Sequence, residues 1–178
     1  MNMEPIFQRR VHPGIARAAQ HCLDLADRKE LPRRSDFRPS AVRSILGYIF
    51  LIDVVPGPDS YFFKLFGVHM SVLYGNDLTG KHLCQIDNEE LRACLRGTYD
   101  AVVAGRTFQY IRGQYVWDDS SVGIERLLVP MTDDEGQINS IFGLAIPDVS
   151  TDSLRLFAGI GMAQLKIDEV LGAAPVLG

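Results

Sequence analysis

The stretch YFFKLFGVHMSVLYGNDLTGKHLCQI, residues 61–86, decides how this chain folds. It opens with an aromatic run, Tyr61 to Phe66, which is typical of a β-strand because aromatic and β-branched side chains suit a pleated sheet. Gly67 ends the run, a short helical pattern follows, and the segment closes on the turn sequence NDLTG. The stretch predicts a strand that leads into short helices and turns, and it contains no acid, base or nucleophile constellation.

The composition is that of one globular domain. The chain has 178 residues, of which 47% are hydrophobic and 22% charged, enough for one core but too few residues for two ordinary domains. No apolar run reaches the roughly 18 residues of a membrane span, and the amino terminus lacks the apolar core of a secretory signal. We therefore expect a cytoplasmic protein that does not enter a membrane.

Charge and cysteine content exclude several kinds of site. The basic residues concentrate in residues 1–46, but they lack interleaved aromatics and a recognition helix, so a solvated helix face or a dimer contact is favoured over nucleic acid. The three cysteines have no Cys-x-x-Cys spacing, which indicates free, buried or half-buried thiols. His12 and His21 have no supporting ligand spacing, so no metal site is predicted.

Periodicity gives the order of elements. An amphipathic helix follows Pro13, a short helix follows Pro39, and two strands flank the turn PGPDS. A longer helix begins after Asn88, and three strand-like runs come after it. A closing helix is predicted over residues 153–171.

This order predicts an α+β fold. We expect a five-stranded antiparallel sheet with helices on one face, plus amino-terminal and carboxy-terminal helices. The predicted division is a helical extension over 1–30, the sheet domain over 31–147, and a helix and tail over 148–178. A ligand would fit between the sheet and its helices.

The chain resembles a PAS domain, of the small stand-alone bacterial kind, from about residue 31 to 147. The segments that carry the resemblance are, in order, LPRRSDFRP, YIFLIDVV, YFFKLFG, YGNDLTGK and ERLLVPM. The resemblance implies that the domain binds a small ligand or a partner and transmits a signal through its terminal helices, without catalysis. No kinase, cyclase or DNA-binding segment follows, so we expect output through a separate protein.

The resemblance leaves the cofactor unknown. Flavin photosensors of this family carry an Asn-Cys pair soon after the position of Gly80, but here Leu83 falls on the adduct position, and Cys84 is expected to be a small core residue. Oxygen-sensing haem relatives carry a histidine on the long helix, and residues 89–104 contain none. Neither cofactor is therefore favoured.

The motif GNDLTGK has the spacing of a phosphate loop without its chemistry. His82 stands where a magnesium-binding Ser or Thr is required, and a helical pattern precedes the motif where a strand should. A structural turn is the better interpretation, in which Asp77 accepts backbone N–H bonds and Gly80 takes a torsion closed to other residues.

Strand alternation selects the candidate pocket. It groups Tyr61, Phe63 and Leu65 on the inner face and sends Lys64 to solvent. The predicted ligand-binding residues are Phe63, Leu65, His69, Leu73, Tyr74, Phe108, Tyr110, Trp117 and Phe142. The alternatives left open are that these aromatics simply fill the core of a structural adaptor, or that the cavity belongs to a small enzyme or carrier using His69 or His82.

Glu125 and Arg126 begin the ERLLVPM strand and must point to opposite faces. One of them is a candidate anchor for a polar ligand group, although cross-strand pairing is favoured for both. The function predicted from sequence is a non-enzymatic homodimeric sensor, with an apolar or planar ligand in the cavity.

Overall fold

The computed structural model describes residues 11–26, 31–117, 119–150 and 164–173. Its elements, in chain order, are α1 (Pro13–Leu25), a 3-10 helix (Pro39–Tyr48), β1 (Ile49–Val54), β2 (Tyr61–Phe66), α2 (Val68–Tyr74), a 3-10 turn (Leu83–Gln85), α3 (Glu89–Gly105), β3 (Phe108–Trp117), β4 (Ser120–Thr132), β5 (Ile138–Pro147) and β6 (Gln164–Ala173). The strands form one antiparallel sheet in the order β2-β1-β5-β4-β3-β6. No helix within these ranges is long and apolar enough to cross a membrane.

The predicted α+β fold is confirmed, but the strand count of five is wrong. β6 pairs with β3 over residues where the closing helix was predicted. The pattern there also fits a strand, because Leu165 and Ile167 alternate with Lys166, and long-range pairing overrides weak helix propensity. The earlier part of the predicted helix lies outside the described residues.

The sheet carries apolar side chains on both faces. One face, which we call the helix face, lies under α2 and α3 and includes Phe50, Ile52, Phe63, Ile111, Tyr115, Ile124 and Leu128. The opposite face, the α1 face, lies under α1 and the 3-10 helix and includes Ile49, Leu51, Phe108, Tyr110, Leu127, Val129 and Phe142. The helices between β2 and β3 thus cover one face, as predicted, and α1 covers the other.

A β-bulge in β2 changes which side chains face inward. Leu51 pairs with Leu65 while its neighbour Ile52 pairs with Phe63, so Lys64 is the extra residue. Beyond a bulge the alternation of faces reverses. Phe66 therefore joins Phe63 on the helix face, and Leu65 packs on the α1 face. The prediction that Leu65 shares a face with Phe63 is wrong for this reason, whereas Lys64 is exposed as predicted.

The turn after α2 is structural, as the sequence predicted. Asp77 Oδ1 accepts a hydrogen bond from the Thr79 N–H at 2.8 Å, and this bond holds the pKa of Asp77 below its usual value. Gly80 has a φ of 79°, a torsion that glycine adopts without steric cost. Its N–H donates to the Phe63 carbonyl at 2.8 Å, which fastens the turn to β2.

Replacing Ile15 with alanine tests whether α1 belongs to the core. Ile15 has 0% of its surface exposed, so we expect Ile15→Ala to lower the free energy of unfolding by about 2–5 kcal/mol. The matched control is Gln20→Ala, an exposed position on the same helix, where a change within about 0.5 kcal/mol is expected. Urea denaturation followed by circular dichroism measures both, and equal stability of the two variants would contradict the packing of α1.

Candidate functional site

Arg126 points into the helix face from the middle of β4. Its strand neighbours two positions away, Ile124 and Leu128, belong to the helix-face cluster, whereas Leu127 belongs to the α1 face. Only 1% of the Arg126 surface is exposed, and it is the only charged residue among the buried ones of the described ranges. Strand alternation thus places a positive charge inside an apolar layer.

The guanidinium has few polar contacts. Nη2 donates a long hydrogen bond of 3.5 Å to the Tyr99 hydroxyl, while Nε and Nη1 have no hydrogen-bond partner among the described residues. The group instead lies 5.9 Å from the ring centroid of Phe50 and 6.0 Å from that of Tyr99. Both distances are at the limit of a cation–π contact, which is about 6 Å.

These contacts are too weak to offset burial of the charge. Removing an ion from water costs several kcal/mol even after the protein relaxes, and a desolvated cation–π contact returns about 2 kcal/mol. An arginine cannot lose its proton to escape this cost. Among the described residues, the guanidinium therefore lacks the acceptors that would offset its burial.

Glu125, the carboxylate next to Arg126 in sequence, forms its hydrogen bonds with other groups. It lies on the α1 side, where one of its oxygens accepts hydrogen bonds from the Tyr110 hydroxyl and from the His12 N–H, both at 2.9 Å. The Tyr110 bond is the cross-strand pairing predicted for Glu125. Directly across from Arg126 stand Ile111 and Ala145, neither of which can pair with a cation, so cross-strand pairing is wrong for Arg126.

Three buried tyrosines surround the charge. The Tyr74 and Tyr115 hydroxyls share a hydrogen bond of 2.7 Å, and burial raises the pKa of both. Burial likewise raises the pKa of Tyr99 to about 12, although the nearby Arg126 charge acts in the opposite direction. At neutral pH all three are neutral hydroxyls, which can donate or accept hydrogen bonds but cannot neutralise Arg126.

Gly143 makes room for Phe50 on the sheet. The two residues are opposite each other in the β1–β5 pair, and a Cβ atom at position 143 would lie 1.9 Å from Cε2 of Phe50. The absence of a side chain at this position lets the Phe50 ring lie against the sheet. That position brings the ring beneath the guanidinium.

Helix α3 joins the site to the edge of the sheet. It contributes Tyr99 on one side, and on the other its Cys94 thiol donates a hydrogen bond of 3.5 Å to the Leu165 carbonyl of β6. The pKa of Cys94 is raised by burial, partly offset by the charge of Arg126. Gln164 Nε2 of β6 also donates to a carboxylate oxygen of Glu90 on α3. A movement of α3 near Arg126 would therefore also displace β6.

The sequence identifies the family. Residues 11–146 match the family model described as a PAS domain. The chain belongs to the PAS domain family. No curated protein matches its sequence significantly.

Solved structures similar to this PAS domain include light-oxygen-voltage proteins. A light-oxygen-voltage domain studied with a flavin analogue is 17% identical, with a TM-score of 0.46 over 68% of this chain and 92% of that one. The Rhodobacter sphaeroides LOV protein is 17% identical, with a TM-score of 0.41 over 62% and 67%. VqmA from Vibrio cholerae is 12% identical, with a TM-score of 0.44 over 66% and 53%. Likenesses this distant carry no information on what this PAS domain binds.

The predicted pocket residues lie in several places. Phe63, Leu73 and Tyr74 are together in the helix-face cluster. The α1 face holds Leu65, Phe108, Tyr110 and Phe142, so the sheet separates them from the first three. His69 is half-buried, with its ring 4.6 Å from that of Tyr48. Trp117 ends β3, and its side chain lies outside the described residues.

The remaining candidate side chains have structural contacts. His82 Nδ1 lies 3.0 Å from the Asp59 carbonyl oxygen, and its ring packs edge-on against Phe62. Cys84 is exposed, so its prediction as a core residue is wrong; the adjacent Leu83 takes the buried position of this 3-10 turn. Within the described ranges no three metal-ligating side chains come together.

A separate groove of about 950 Å³ lies where the start of α1 meets strands β3 to β6. Its lining includes His12, Arg112, Glu125, Asp148 and Asp168. Ile124 of the helix face reaches its lining but Arg126 does not, and its carboxylates outnumber its basic groups. It is therefore a different environment from that of Arg126.

In the sequence, Arg126 is a candidate anchor for a polar ligand group, but it is not among the predicted pocket residues. Two signals were available: its position in the alternation of β4, and its place between apolar residues in IERLL. What the sequence could not provide was the set of groups around it, because Phe50, Tyr74, Tyr99 and Tyr115 come from four different elements.

The raised pKa of Tyr99 makes stability fall in alkali. An unfolded tyrosine ionises near pH 10, whereas folded Tyr99 holds its proton to about pH 12. The stabilising difference is complete below pH 10 and is lost as pH rises, by about 1.4 kcal/mol per pH unit for this residue. We expect Tyr99→Phe to reduce the slope of unfolding free energy against pH between 10 and 12 by that amount. Urea denaturation at each pH measures it; equal slopes for the two proteins would contradict the burial of the hydroxyl.

Proposed function

We propose that this PAS domain is a bacterial cytoplasmic sensory module without enzymatic activity. It binds a small apolar or planar ligand on its helix face and passes the occupancy of this site to a separate output protein. The observation that supports the proposal is the chemistry of the helix face, where aromatic rings surround a buried arginine and a bonded pair of tyrosine hydroxyls. Ligand sites combine such apolar walls with a few convergent polar groups.

A structural core has no need of these polar groups. A core that only stabilises the fold gains most from aliphatic and aromatic side chains, because each buried polar group must be compensated. In place of Arg126 a methionine or leucine would fill similar space without unsatisfied N–H groups. The polar set therefore favours a ligand site over an adaptor with a filled core.

The proposed signal route runs through α3 to β6. Tyr99 contacts Arg126 at one end of the route, and Cys94 and Glu90 bond to β6 at the other. Among the described strands, β6 lies at the edge of the sheet and pairs with β3. A ligand that changes the position of Tyr99 would strengthen or weaken the hydrogen bonds between α3 and this edge. A partner protein bound at the edge would then detect the change.

We place the homodimer contact on the same edge strand. Ile167 and Val170 of β6 are 36% and 48% exposed, and an edge strand offers backbone groups for pairing with a second chain. On α1, Ile15, Ala18, Ala19 and Cys22 are buried and Leu23 and Leu25 half-buried against its own sheet, which leaves this helix little apolar surface for a dimer.

A bound ligand should be detectable by mass spectrometry of the protein isolated from its own host. We expect the native mass to exceed the denatured mass by that of one small molecule. Because the hydroxyl pair lines the proposed site, Tyr74→Phe combined with Tyr115→Phe should lower the occupied fraction. The matched control is Tyr110→Phe, a buried tyrosine on the α1 face, where occupancy should be unchanged. Equal native and denatured masses in repeated preparations would remove the proposed function.

Val170→Lys tests the dimer edge. A lysine on an edge strand opposes pairing with another chain, so the variant should sediment as a monomer at a concentration where the wild type is a dimer. The control is Val68→Lys, which changes an apolar side chain that is 63% exposed at the start of α2. Sedimentation velocity measures both; a monomeric wild type, or a dimeric Val170→Lys variant, would refute this interface.

A further inference from the structure

The charge of Arg126 has no counter-ion in the part of the protein that the structure describes. The titratable groups that face it are Tyr74, Tyr99, Tyr115 and Cys94. All four are neutral at neutral pH, because burial raises the pKa of each. Its Nε and Nη1 atoms have no hydrogen-bond partner among the described residues. Both the charge and its donors are thus available to an incoming group.

We propose that the ligand of the helix face is an organic anion whose carboxylate pairs with Arg126. This inference rests on the proposed ligand site and specifies the chemistry of what occupies it. The planar guanidinium presents N–H donors in a fork that matches the two oxygens of a carboxylate. The apolar or planar remainder of the ligand lies against the aromatic side chains of the same face.

The number of charges favours a monoanion. Arg126 is the only buried charged residue of the described ranges, so one negative charge makes the site neutral. A phosphate monoester carries nearly two negative charges at neutral pH, and a second one would remain buried without a partner. The tyrosine hydroxyls add donors for the carboxylate but no further positive charge.

The surrounding groups also explain why the site can hold a charged ligand away from water. A pair of buried opposite charges is favourable only when its geometry is good and other hydrogen bonds satisfy the remaining atoms. Tyr99 already bonds to the guanidinium, and the Tyr74–Tyr115 pair is another source of hydroxyl donors within the same cluster. An arginine fork with three phenols is such an arrangement.

A panel of linear and aromatic monocarboxylates, each paired with its primary amide, tests the proposal on the full chain at pH 7. Benzoate with benzamide and octanoate with octanamide are the central pairs. We expect carboxylates to raise the melting temperature progressively, with the logarithm of their concentration above Kd, and the neutral amides of the same size to have little effect. If the amides stabilise the protein as well as the acids do, or if no carboxylate stabilises it, the proposal is overturned.

Three variants assign the effect to Arg126. In Arg126→Met we expect a fold at least as stable as the wild type without added acid, because an unpaired buried charge is replaced by an apolar side chain of similar length. Its apparent Kd for the carboxylates should rise by about 30-fold or more. Arg112→Met removes an exposed arginine from the adjacent strand and should leave the Kd unchanged. Arg126→Lys keeps the charge without the fork and should bind with intermediate affinity.

The outcomes separate this inference from the proposed function. If the protein from its natural host releases a neutral molecule, that result supports the proposed ligand site but overturns the inference that the ligand is an anion. An acid released from the wild type and bound at lower occupancy by Arg126→Lys supports both, and this variant keeps the test valid if Arg126→Met does not fold. Carboxylate binding that Arg126→Met and Arg126→Lys retain at full affinity would place the anion elsewhere and overturn the assignment.

Discussion

Arg126 places a permanent positive charge in the apolar layer between the sheet and its helices, and many neighbouring features are arranged around it. The alternation of β4 fixes the direction of the side chain and sends Glu125, the adjacent carboxylate, to the opposite face. Because the residues across from Arg126 are Ile111 and Ala145, the sheet supplies no acid. Aromatic rings and hydroxyl groups therefore surround the charge. Phe50 lies below it, Tyr99 beside it, and the Tyr74–Tyr115 pair nearby.

The same constraint connects the site to the edge of the molecule. Gly143 lets Phe50 lie against the sheet, and α3 places Tyr99 against the guanidinium while it holds β6 through Cys94. A group that neutralises Arg126 would change the charge that Tyr99 of α3 contacts. Since α3 also bonds to the strand at the sheet edge, binding chemistry and a surface for partners are combined in one helix.

The sequence predicted those parts that depend on local pattern. The order of strands from Ile49 to Pro147, the turn at Asp77 and Gly80, and the start of α3 after Asn88 follow from propensity and turn chemistry, and the structure confirms them. The sequence did not predict the features that depend on strand pairing. The bulge at Lys64 reverses the faces of Leu65 and Phe66, and β6 forms a strand because β3 offers an edge. The pocket list mixed two faces, since residues such as Phe63 and Phe142 look alike until the sheet separates them.

Burial of Arg126 requires an acceptor that the described residues do not provide. A crystal structure of the protein purified from its own host, at a resolution that shows ordered small molecules, tests this directly. We expect electron density of a carboxylate within hydrogen-bond distance of Arg126 Nε or Nη1, with the guanidinium still buried beside Tyr99. A guanidinium paired with a carboxylate of the protein itself, or turned outward into solvent, would contradict it.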